Sequence, residues 1–134
     1  MSTINATTVQ ATNVQDTAGA NSSTTAQLTS GRAKAWVNFD GTGTVGSPRD
    51  SFNVTGITDN GTGQYTVTIA TDMSNANYSV IAGGGMDATS TSNQPLQGAN
   101  VNNIAVGSFM IHCGSNTYAY DDWAIVTATV FGDQ

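Results

Sequence analysis

The stretch TDNGTGQYTVTIAT, residues 58–71, constrains the fold more than any other part of the chain. Tyr65, Val67 and Ile69 alternate with polar residues, a period of two that suits a strand with one covered face. Asn60-Gly61 precedes them and is a strong hairpin signal, because both residues tolerate the positive φ that tight hairpin turns require. The segment before it, DSFNVTGI (50–57), carries Phe52 and Val54 on one face and slips phase at Gly56 before Ile57. A glycine at a phase slip marks a bulge. FNVTGI is therefore predicted to pair with YTVTIA as an antiparallel hairpin.

The same period recurs along the chain. AKAWVNF (33–39) puts Ala35, Val37 and Phe39 on one face and ends in the turn signal DGTG. NYSVIAGGG (77–85), IAVGSFMIHC (104–113) and YAYDDWAIVTATVF (118–131) read as further strands, with GSNT between the last two as a turn. Trp36 and Trp123 are expected in the core. No segment shows helical periodicity. Every acidic residue is Asp, and the basic residues are Arg32, Lys34 and Arg49 alone, so the Glu and Lys that favour helices are nearly absent. About six strands with closely spaced turns predict an all-β domain, an antiparallel β-sandwich or jelly-roll-like head. In the last strand, Trp123, Ile125, Thr127, Thr129 and Phe131 point one way and Ala124, Val126, Ala128 and Val130 the other. Apolar side chains on both faces call for cover on both, and a neighbouring subunit is the simplest cover for the second.

Residues 1–31 differ in character. Ile4, Val9, Val14 and Leu28 are their only sizeable apolar side chains, too few for a core. The first fifteen residues fall into pentads, MSTIN, ATTVQ and ATNVQ, with Ile4, Val9 and Val14 at the fourth place. Three beats are too short for a stacked coil in one chain. They fit an extended N-terminal arm over 1–31 that orders only in company, around an axis shared by copies or laid along another protein; a low-complexity tail with an accidental rhythm is the alternative. Residues 32–134 form the head.

Charge and motifs exclude several functions. The formal net charge is −6, whereas nucleic-acid binding needs a basic surface. No apolar run approaches the ~20 residues of a membrane span. Neither a basic region nor an apolar run marks the N-terminus as a signal peptide. Cys113 is the only cysteine, so no intrachain disulfide forms. His112 is the only histidine and no G-x-S-x-G accompanies it, which argues against a hydrolytic triad. No metal or cofactor site is expected: His112 reads as a packed or edge residue, and Asp121-Asp122 as turn residues rather than calcium ligands.

One contact chemistry does stand out. Tyr118 and Tyr120 offer aromatic faces beside Asp121 and Asp122, and the polar loop 85–103 adds Asn93, Gln94 and Gln97. Aromatic rings with nearby carboxylates and amides are suited to sugar recognition. A surface polysaccharide is therefore the expected ligand class if the head binds one.

The stretch GRAKAWVNFDGTGTVGSPRDSFNVTGITDNGTGQYTVTIATDMSNANYSV (31–80) resembles a module of bacteriophage tail fibres and related virion proteins, cyanophages among them. The likeness extends more weakly to the lead-in from Val14 and to DDWAIVTATVFGD. It departs at Pro48, where an apolar residue is expected; proline donates no ladder hydrogen bond, so the strand is expected to start after it. The resemblance implies a virion structural protein without catalysis, a homotrimer whose N-terminal arm anchors to other tail or capsid proteins and whose head contacts the host. A capsid decoration protein is the structural alternative. A depolymerase built on Asp87, Asp121 and Asp122 is the enzymatic one, on a chain short for such enzymes.

Overall fold

The computed structural model describes Thr8, residues 11–15, 22–85, 98–114 and 119–134. Ile4, Val9, Asn93, Gln94, Gln97 and Tyr118 lie outside the described residues. The chain divides into two compact units, Met1–Arg32 and Ala33–Gln134.

In the first unit, β1 (Asn13–Gln15) pairs antiparallel with β2 (Ser22–Thr24), and α1 spans Thr25–Gly31. Apolar periodicity gives no hint of this helix, and none of its residues is buried. Its signal is local. The Thr24 hydroxyl accepts from the Gln27 N–H (3.1 Å), and the Gln27 side chain accepts from the Thr24 N–H (2.8 Å). This reciprocal cap satisfies two donors that a helix start leaves open. Val14 is paired with Ser23 and 54% exposed.

The second unit is an antiparallel β-sandwich of two four-stranded sheets. Its strands are β3 (Ala35–Phe39), β4 (Asp50–Phe52), β5 (Val54–Gly61), β6 (Gln64–Ile69), β7 (Ser79–Gly85), β8 (Gly98–Ala105), β9 (Ser108–Gly114) and β10 (Ile125–Phe131). The first sheet runs β4-β3-β10-β7 and the second β5-β6-β9-β8. Between them lie Val37, Phe39, Val126 and Val130 from the first sheet and Tyr65, Val67, Phe109 and Ile111 from the second, all buried. The β3 and β6 alternations are as the sequence predicts, and β4 begins after Pro48.

Four sequence expectations need correction. Residues 50–57 are not one strand. Asn53 adopts φ 55°, and there the chain leaves the first sheet as β4 and enters the second as β5. The hairpin turn lies at Thr62-Gly63 rather than Asn60-Gly61, with the register shifting between Asp59 and Gly61. Gly63 takes φ 65° there, so the second Gly of NGTG closes the turn while the Asn lies within β5. Residues 104–113 are also two strands, reversed at Val106-Gly107, and β8 begins at Gly98 inside the expected loop. The Met73 N–H donates to Val106 O (2.9 Å) and the Ile69 N–H to Gly107 O (2.8 Å), holding that reversal against the end of β6. Trp123 is core, but Trp36 is only partly buried and faces outward. The fifth expectation, a bulge near Gly56, holds: the register shifts between Val54 and Gly56.

The crossing at Asn53 is tightly held. Its side-chain amide donates to Lys34 O (3.0 Å) and Thr71 O (3.3 Å), and its carbonyl oxygen accepts from the Thr71 N–H (2.8 Å). Its backbone oxygen accepts from the Ala70 N–H (3.0 Å). Asn suits the position twice: it tolerates positive φ and it satisfies backbone groups of both flanking segments. Asn53→Ala should cost about 2–4 kcal/mol by urea denaturation, combining left-handed strain with lost hydrogen bonds. Asn53→Gly relieves the strain and should cost about 1–2 kcal/mol less than the alanine. Equal costs would show that backbone conformation plays no part.

Candidate functional site

The two outward sheet faces have opposite chemistry. On the first sheet, the register places Phe52 beside Trp36, Trp36 beside Thr129 and Thr129 beside Ile81, one row across all four strands. Phe52 is 54% and Ile81 63% exposed, and Phe131 is partly exposed on the same face. Asn38, one pair along β3 between Asp50 and Thr127, carries a buried Oδ1 without a partner among the described residues. These residues are the outward set of the same alternation that buries Val37 and Ala128.

The outward face of the second sheet is mostly polar, with no Asp, Lys or Arg in its two central rows. One row runs Gln64–His112–Asn100 and the next Thr66–Met110–Asn102. The Asn60 amide donates to Thr66 Oγ1 (2.7 Å). Asn102 Nδ2 lies 3.1 Å from His112 Nδ1 and Tyr120 Oη 3.5 Å from it, and the His112 and Tyr120 rings meet edge to face at 5.3 Å. His112 Nε2 is buried without a partner among the described residues. Tyr120 reaches this face because it bridges to Gly114 at the end of β9. Of the sequence-predicted contact residues among those described, Tyr120 is the one set in this polar cluster. Its neighbours His112, Asn100, Asn102 and Gln64 carried no motif in the sequence; only their strand alternation, once register is known, puts them on one face.

Asp122, singled out as a contact residue, is tied into the framework. One of its oxygens accepts from both the Tyr65 hydroxyl (2.8 Å) and the Gly63 N–H (2.6 Å). Tyr65 also donates toward Gly41 O (3.2 Å), and the Gly41 N–H donates to Trp123 O (2.8 Å). Glycine at 41 is required by close approach, since a β-carbon there would collide with the Tyr65 hydroxyl. Asp121 is partly buried and its N–H donates to Cys113 O (3.2 Å). Among the described residues no cluster of three His, Cys or Asp side chains fits a metal.

Burial and the Asp122 carboxylate push the Tyr65 hydroxyl far above its usual value. Burial, with the Asp122 charge second, pushes the Cys113 thiol up to about 12. Comparison with known proteins finds no family model, no curated protein and no solved structure that matches the chain.

Both raised groups favour the folded state while they stay protonated. Their contribution is complete below the unfolded values, 9.0 for the thiol and 10.0 for the phenol, and is lost as pH rises above these. Stability from denaturant titrations should therefore hold to about pH 9 and decline above it. Tyr65→Phe should remove part of the decline and cost about 1–2 kcal/mol at pH 7. Cys113 should react with a thiol reagent only at the rate of unfolding; fast reaction with the native protein would contradict its burial.

Proposed function

We propose that the chain is a non-enzymatic structural protein of a bacteriophage virion, a short tail fibre or tail-appendage protein that takes part in host attachment. The observation that carries this reading is the row Phe52–Trp36–Thr129–Ile81 on the outward face of the first sheet. A sheet face of exposed aromatic and branched side chains is a poor solvent surface and a good assembly surface. The resemblance of residues 31–80 to tail-fibre modules supplies the setting, a homotrimer in which copies bury this face. The N-terminal unit, with Val14 and the pentad positions Ile4 and Val9, then attaches to other virion proteins. The polar face of the second sheet stays outward, available to the host.

Few charges support the same division. Only 9% of residues are charged, so edges and faces lack the usual lysine protection and depend on burial by copies. The alternative, a capsid decoration protein, uses the same apolar face against the shell and needs no self-association.

Light scattering on the full chain should give the mass of a trimer. Replacing Phe52 and Ile81 together by Asp should give a monomer with an unchanged circular dichroism spectrum. A monomer for the unaltered chain would overturn the trimer and favour the decoration reading.

A further inference from the structure

We propose that the outward face of the second sheet, centred on Tyr120 and His112, binds an uncharged glycan. This rests on the attachment reading above and names the ligand class that the face fits.

Tyr120 is 49% exposed, an aromatic ring offered to solvent at the rim of an amide-covered sheet. Among the described residues its hydroxyl makes only a long contact, 3.5 Å to His112 Nδ1, which Asn102 Nδ2 approaches more closely at 3.1 Å. His112 acts as a fixed post between them, bonding one neighbour and packing edge-on against the other. Such pre-orientation lowers the entropy lost when a ligand settles on the ring.

The amides are spaced by the sheet itself. Gln64, His112 and Asn100 occupy one register row on β6, β9 and β8, with Asn102 one pair further along. Neighbouring strands lie about 4.8 Å apart, a spacing close to the width of a sugar ring. The Gln64 and Asn100 amides each carry donors and an acceptor, which suits a hydroxyl, donor and acceptor at once, while Asn102 Nδ2 faces His112. The ring face of a pyranose presents C–H groups that pack on an aromatic side chain. An anionic ligand is disfavoured: neither register row holds a Lys or an Arg, and the chain carries a net charge of −6. A nucleic acid is disfavoured for the same reason.

The test is titration of the full-length protein, followed by amide NMR shifts, with a panel of neutral glycans (chitotetraose, a mannan, a galactan and a β-glucan) and two anionic ones (alginate and hyaluronate). Saturable shifts are expected for at least one neutral glycan, at 98–102, 108–114 and 120. Tyr120→Ala should weaken that binding by about tenfold or more, and Asn100→Asp should also weaken it while leaving the fold intact. Tyr120→Phe should retain most of the stacking and lose only the hydroxyl's share. Binding of the anionic glycans alone, no binding by any neutral member, or shifts confined to the first sheet would each overturn the proposal. The outcome is separable from that of the assembly reading: a monomer that binds a neutral glycan keeps this inference and loses the trimer, and a trimer that binds none does the reverse.

Discussion

The sandwich depends on one residue's ability to hold a left-handed backbone while bonding on both sides. At Asn53 the chain passes from the first sheet to the second without a loop, and the side chain closes the gap by reaching Lys34 O and the Thr71 backbone. Everything downstream inherits this step. It fixes the phase in which β5 meets β6, so Ile57 and Val67 turn inward together, and it leaves Phe52 on the other sheet pointing out. A residue bound to extended φ would make 50–57 a single strand, and the two sheets would lose one of their direct links.

At the opposite end of β6, Tyr65, Asp122, Gly41 and Gly63 perform the matching task. A phenol buried against the core keeps its hydroxyl in contact with a carboxylate and a backbone carbonyl. That ties the turn after β3, the hairpin turn after β5 and the approach to β10. The ion pair of Arg49 with Asp40 at 2.7 Å is exposed on both sides and adds little by comparison. Asp40 itself is held below its ordinary carboxyl value chiefly by the Thr42 hydroxyl and N–H, with the Arg49 charge a smaller influence. Directed hydrogen bonds, rather than charges, secure the ends of a domain so poor in charged residues.

The strand alternation was legible because it needs only the period of two. Ala35, Val37 and Phe39, and Tyr65, Val67 and Ile69, all point inward as the pattern requires. Gly56 gave its bulge through the phase slip. What failed were decisions made by tertiary context. Two turn-prone glycines in NGTG compete, and the pairing of Gly61 with Gln64 selects the later one. Val106-Gly107 hides a reversal inside an apolar run. Trp36 has the composition of a core residue, but parity on β3 sends it outward beside Phe52. The helix after Thr24 was visible only as a capping pair, since no apolar face accompanies it. The polar cluster around His112 needs register across three strands, which no single segment contains. Asp122 has a framework tie that no single segment shows: it is exposed, yet one oxygen holds both the Tyr65 hydroxyl and the Gly63 N–H.

The order β4-β3-β10-β7 has a kinetic side. β10 is the central partner of both β3 and β7, yet about ninety residues separate β3 from it. Until residues 125–131 emerge from the ribosome, β3 has only the three-residue β4 beside it and β7 has no partner in its own sheet. The hairpins β5-β6 and β8-β9 are local and can form early, so the second sheet is available as a template before the first exists. A nascent or truncated chain lacking β10 would therefore present two open, charge-poor edges, the form of this protein most exposed to cross-pairing and aggregation.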